Sequence, residues 1–316
     1  MTSGVAGVVA TSGFVVSSGV AKPREIDLPD GTMVPVIYED RSVMVLDKPA
    51  GWLVAPDDWV QTGRNLFLAL REGMDFGDWW AKSRNLRFLR FVHRLDAETS
   101  GLLLCVKSEG SMGAYSRLFA ERDVEKVYLA VVDGTPPSES WTRTDPLGPD
   151  EARPGRQRVD PEAGREASTH FRVLARVGAR SLVEARPLTG RTHQIRLHLQ
   201  ASGCPVVGDD LYGNPTRTGL GLRAVGLSYQ DPFRESRVRI QAPTEAFCTH
   251  FGFPKGAARP PERRPEARVS GEGRTPPGAL PGRPPSGAGP KGETTRRPKD
   301  RSIPPGPSTG GKGQTS

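Results

Sequence analysis

Apolar residues come along this chain in short runs, rich in Val, Leu and Ile and closed off by turn formers, and few of them repeat at helical spacing. Such runs occupy 42–49, 102–108, 126–134, 168–177, 181–188 and 237–243, and their length and bounding residues predict strands. Two stretches predict helices instead. One is 111–122 (SMGAYSRLFAER), just after Ser108. The other is 190–203 (GRTHQIRLHLQASG), where Ile195 and Leu199 stand four apart on an inward stripe, Thr189 is placed to cap the start and Gly203 the end. The order of these elements predicts an α+β fold, a mixed, mainly antiparallel sheet with flanking helices.

Composition changes the picture mainly at the two ends. The chain has 44 basic and 36 acidic residues; from Lys255 to Ser316 there are 13 and 5, which leaves 31 of each before that point. The body is therefore neutral, and a nucleic-acid-binding face on it must come from clustering. The last 62 residues include 25 Gly or Pro and no aromatic residue follows Phe253, so 255–316 is expected to be a disordered basic tail. The opening 21 residues carry no charge, but they lack the basic leading region of a secretory signal and their Gly and Ser dilute the apolar run. They predict a loose extension over 1–30, ahead of a catalytic domain at 31–254 with no membrane-spanning segment. Cys105, Cys204 and Cys248 have no metal-ligand spacing and no even count, which points to a reducing, cytoplasmic setting.

Candidate chemistry centres on HRLDAETSGLLL, where Asp96 stands just before an apolar run. A carboxylate there either bonds to the amides of Thr99 or Ser100 in a turn, or does chemistry. Arg191, His193, Arg196 and His198 crowd one short segment, and so many cations call for a negative partner, either an acid such as Asp96 or a phosphate backbone. The letters Asp75-Phe76-Gly77 suggest a protein kinase, but they precede HRLD rather than follow it and no Gly-rich loop lies upstream.

Four segments in one order resemble the RluA-type family of pseudouridine synthases: YEDRSVMVLDKPAGWLV (38–54), HRLDAETSGLLLCVKS (93–108), EKVYLAVVDG (125–134) and RPLTGRTHQIRLHLQASGCPVVGDDLYG (186–213). The resemblance covers roughly residues 37–250 and implies an enzyme without cofactor or metal that detaches uracil from ribose, turns it and rejoins it through carbon 5. It implies Asp96 as catalytic aspartate, Tyr128 as the aromatic stacking on the target base, Arg196 as the partner of the aspartate and Arg94 in base flipping. With them, His93, Arg191 and His193 are the candidate RNA contacts, and the expected partner is a ribosomal or transfer RNA bound by a monomer. Two places depart from the family pattern and bear on specificity: Arg223 stands where a histidine is usual, and LVAPDD (53–58) ends its segment differently.

The residue types suit that chemistry on their own terms. One ionised carboxylate serves equally for attack on carbon 1 of the sugar, for attack on carbon 6 of the ring, or for removing the proton on carbon 2 of the ribose. A neighbouring arginine keeps it charged in a closed pocket. A flipped base recovers part of the unstacking cost on a flat aromatic ring. Two other readings remain: an RNA-binding protein on this fold without catalysis, and a nucleotide hydrolase using Asp96 and His193.

Overall fold

The computed structural model describes residues 8–9, 21–54 and 63–258. The expected tail beyond residue 258 and positions 55–58 of LVAPDD lie outside the described residues.

In chain order the elements begin with β1 (Val8–Val9), β2 (Glu25–Asp27), β3 (Met33–Glu39) and β4 (Val43–Lys48), then the helices α1 (Leu66–Phe76) and α2 (Trp79–Lys82). Next come β5 (Arg90–Phe91), β6 (Ser100–Val106), α3 (Glu109–Ala120), β7 (Glu125–Asp133), β8 (Ser140–Arg143), β9 (Leu147–Pro149) and β10 (Gln157–Val159). The chain continues through β11 (Thr169–Val177), β12 (Arg180–Pro187), α4 (Gln194–Ala201), β13 (Leu222–Gln230), β14 (Arg237–Gln241) and α5 (Glu245–His250).

One sheet runs in the order β2-β3-β4-β6-β13-β7-β12-β11-β8, with β14 also paired to β13, β5 to β6 and β1 to β14, while β9 and β10 form a separate hairpin. Among the described strands only β6 with β13 and β1 with β14 are parallel, so the sheet is mixed and mainly antiparallel. All six expected strands are present, and α4 buries Ile195 and Leu199 as the stripe predicts.

Two half-sheets meet where β6 pairs in parallel with β13 over two residues, and Gly101 makes that contact possible. It sits at φ 110°, and a Cβ on it would lie 2.0 Å from the Ala224 carbonyl oxygen, so only glycine fits. The first half-sheet buries β4 and β6 almost entirely: Val43 to Leu46 and Leu102 to Val106 are all inaccessible, which explains their unbroken apolar runs. In the second half-sheet the strands alternate. Ala130 and Val132 of β7 join Ile195 and Leu199 of α4 on one face, whereas Leu129 and Val131 join Cys248 and Phe251 at α5 on the other. Tyr128, two residues before Ala130, therefore faces the α4 side.

Several local expectations are corrected. Residues 25–30, within the expected loose extension, form β2 and its turn with Ile26 and Leu28 buried, so the sheet begins before residue 31. Thr189 does not cap α4. The N-cap is His193, and the Thr189 hydroxyl instead donates to Gln194 Oε1 (2.6 Å) and accepts from Ser168 N (3.0 Å), because residues 190–193 turn aside before the helix starts. Asp75 and Phe76 end α1, and Gly77 is its left-handed C-cap at φ 72°. That helix was missed although Asn65 supplies a capping side chain to the amides of Phe67 and Leu68.

Candidate active site

Asp96 lies in the turn between β5 and β6, and its neighbours are fastened before its carboxylate is used. The Lys48 ammonium, wholly buried, donates to the carbonyls of Ala97 (2.7 Å), Pro49 (2.8 Å) and Trp52 (2.8 Å). Burial pushes its pKa down to about 7; three carbonyl acceptors at those distances nevertheless require the three N–H groups of the protonated form. Thr99 N donates to the Asp96 carbonyl at 3.1 Å. The turn expected around Asp96 thus closes through the backbone, and the side chain reaches into the cleft.

There the carboxylate meets two groups from the α4 region. Arg196 Nη1 stands 3.7 Å from Asp96 Oδ2, and His193 Nε2 stands 4.0 Å from Oδ1. The close hydrogen bonds of Arg196 go elsewhere: Nε and Nη2 form a bidentate pair with Asp209 at 2.8 and 2.6 Å, and Nη2 also reaches Asp210 at 3.1 Å. Burial raises the Asp209 pKa by itself, but the bonds and charge of Arg196 outweigh it and hold the carboxyl below its ordinary value. Asp209 is thus the partner that sequence reasoning missed, although it stands in the GDDLYG end of the long signature.

Tyr128 borders the same cavity, half-buried on β7. Burial and the Asp96 charge push its phenol pKa up, so the ring stays neutral at physiological pH. The cavity encloses about 640 Å³, ample for a nucleotide base and its sugar. Its rim carries Arg94, Arg122, Lys126, Arg165 and Arg191. Arg191 feels them: burial, then Arg165 and Arg122, lower its pKa, the mark of a strongly positive rim that an anion would relieve. Lys126, also missed, has its pKa lowered to about 8 by burial and Arg122, and it donates to the Thr189 carbonyl at 3.0 Å.

His198 and His93 do not carry the charge expected of them. His198 is fully buried between Thr169 Oγ1 (3.0 Å) and the Asp145 carbonyl (3.3 Å), and burial lowers its pKa. His93 lines the cavity, but its Nε2 accepts from Leu104 N at 2.9 Å and its ring stacks on Phe119 at 4.6 Å. Burial lowers its pKa to about 3, so the ring is neutral and props the Asp96 turn. Arg223 does not line the cavity; it binds Asp47 through two bonds of 2.9 and 2.7 Å and the Pro243 carbonyl, tying β13 to β4. Among the described residues no group of three His, Cys, Asp or Glu side chains is arranged to hold a metal ion.

The mixed sheet thus gathers one carboxylate, a neutral aromatic and a clamped arginine in a basic cleft. Residues 42–201 match the model of the RNA pseudouridylate synthase family, and the chain belongs to that family, in its RluA-type branch. It is 34% identical over 220 residues to ribosomal large subunit pseudouridine synthase C of Vibrio cholerae, a match covering 67% of this chain and 66% of that protein. The enzyme of the same name in Escherichia coli K12 is 34% identical over 223 residues, covering 66% of each. The chain thus spans just under two thirds of the length of these curated relatives. The solved structure of human RNA Pseudouridylate Synthase Domain Containing 1 superposes with a TM-score of 0.54 at 27% identity, over 66% of this chain and 83% of that one.

Proposed function

We propose that this protein converts specific uridines of a structured RNA into pseudouridine, with Asp96 as the reacting carboxylate. The observation that carries the reading is the position of that carboxylate: 3.7 Å from a clamped arginine, in the cavity Tyr128 borders, under a rim of five cations. In the reaction the bond from ribose carbon 1 to ring nitrogen 1 breaks, a bond from the same carbon to ring carbon 5 forms, nitrogen 1 gains a proton and the hydrogen on carbon 5 leaves to solvent. The rim holds phosphates, Arg94 helps extrude the uridine, and Tyr128 stacks on the flipped base. The names of the relatives favour large-subunit ribosomal RNA over transfer RNA as substrate. Buried free thiols at Cys105, Cys204 and Cys248 agree with a reducing, cytoplasmic setting.

Tritium release from RNA labelled at carbon 5 of uracil tests this directly. Asp96→Asn keeps the shape and loses the charge, so it is expected to abolish release while RNA affinity stays near wild type. Release by that variant within tenfold of wild type removes Asp96 from the reacting role. RNA binding by the wild-type protein without any release would instead identify a non-catalytic RNA-binding protein on this fold.

A further inference from the structure

His193 has a backbone conformation that its position at the head of α4 does not explain. It sits at φ 57°, ψ 17°, in the left-handed region, and its side chain makes no capping bond to the helix. A non-glycine residue there costs about 1 kcal/mol or more. The strained backbone delivers the ring to one place, between Asp96 and Tyr212. Nδ1 lies 2.8 Å from the Tyr212 hydroxyl, and Nε2 lies 4.0 Å from Asp96 Oδ1.

The bonds around Tyr212 determine which nitrogen carries the proton. Gln157 N donates to the Tyr212 oxygen at 2.7 Å, and a backbone amide has no other role available. The hydroxyl, in a residue 8% exposed, then needs an acceptor for its single hydrogen, and among the described residues His193 Nδ1 is the one within reach. The opposite arrangement, with the proton on Nδ1, strands the phenolic hydrogen and turns the Nε2 lone pair toward a carboxylate. Both costs favour Nε2–H facing Asp96. Burial keeps the ring neutral, with Arg196 and Arg94 acting in the same direction against Asp96 and Asp209.

We propose that Tyr212 is a positioning residue for the reaction: by donating to Nδ1 it holds His193 with Nε2–H directed at Asp96, so the carboxylate is gripped by Arg196 on one oxygen and by His193 on the other. The proposal rests on the reading of Asp96 as the reacting group. At 3.7 and 4.0 Å both contacts orient the carboxylate without occupying a lone pair in a hydrogen bond, which leaves it free to react. One turn supplies both supports. Asp209 clamps Arg196 and accepts from the amides of Leu211 and Tyr212, both at 2.9 Å, so the tyrosine that sets His193 is held by the acid that sets Arg196.

The test uses the full-length protein, Tyr212→Phe, His193→Gln and the double variant. Nitrogen NMR of the RNA-free wild type at neutral pH is expected to show His193 protonated on Nε2 and unprotonated on Nδ1, and Tyr212→Phe should lose that pattern. Turnover on a uridine RNA should fall about tenfold in Tyr212→Phe with KM within about twofold. In the His193→Gln background the same change should cost nothing more, because the tyrosine acts through the histidine. A proton on Nδ1 in the wild type overturns the proposal. So does an equal loss from Tyr212→Phe in both backgrounds, which would make Tyr212 a prop of the fold, or no loss in either. If Tyr212→Phe unfolds, the wild-type spectrum still decides which nitrogen is protonated. If the wild type turns over no uridine RNA, the functional reading fails while the spectrum, taken without RNA, still decides the positioning claim.

Discussion

Two buried regions lie against the same sheet and are built on opposite principles. Around β4 and β6 the interior is aliphatic: Val43 to Leu46 and Leu102 to Val106 pack on Trp52 and Leu66 with no solvent access. Around α4 the buried side chains include Thr169, Thr189, Gln194, Arg196, His198 and Asp209, each tied to a partner. Gln194 alone accepts from Thr189 and Arg191 and donates to Ser168 and Thr169. Apolar contacts are non-directional, so the first region contributes stability and tolerates repacking. A satisfied polar network costs more to build and admits one geometry, which is what a site needing fractions of an ångström requires.

The comparison is most exposed at Asp209. Asp209→Asn takes the charge from the bidentate partner of a buried arginine and is expected to cost about 3 kcal/mol of stability and at least tenfold in turnover, read by denaturant unfolding and single-turnover tritium release. Wild-type turnover in that variant would show that the clamp on Arg196 serves only the fold.

Leu46→Ala, in the aliphatic region, should cost roughly 3 kcal/mol by emptying a fully buried site. Here turnover per folded molecule should not change. A loss of turnover matching that of Asp209→Asn would erase the distinction between the regions.

Acid sharpens the contrast further. The Asp209 pKa is lowered on folding, so its stabilisation is full above the unfolded value near about 4 and is lost as pH falls through the folded value. The stability gap between wild type and Asp209→Asn should therefore narrow below about pH 4, while the gap to Leu46→Ala stays constant. Thermal unfolding across that range measures both.

The smallest effect is expected at the join between the two regions. Arg223→His restores the residue usual in the family but removes the bidentate pair with Asp47, at a cost of about 1 kcal/mol. Because Arg223 does not line the cavity, the set of uridines modified, mapped by sequencing, should match wild type.

Legibility in the sequence followed the range of the interaction that decides each feature. The strands of β4, β6, β7, β11, β12 and β14 and the stripe of Ile195 and Leu199 depend on neighbours a few residues away, and they were readable from the pattern. Helix α1 carries a local signal at each end, the capping Asn65 and the left-handed Gly77. Lys48 and Asp209 carried no local signal of their roles. The lysine bonds a carbonyl 49 residues away, and the aspartate meets its arginine across 13 residues after an intervening turn.

By itself the sequence determined the kind of fold, since periodicity is written along the chain, and it singled out Asp96, Tyr128 and Arg196 through the resemblance of its ordered segments to the RluA-type family. Tertiary structure alone decided that Arg196 is clamped by Asp209 and only faces Asp96, that His93 and His198 are neutral, and that His193 stands between a carboxylate and a hydroxyl. The physical reason is that charge state and hydrogen-bond choice depend on burial and on which distant groups compete for each atom, and those competitors are assembled only when the sheet closes.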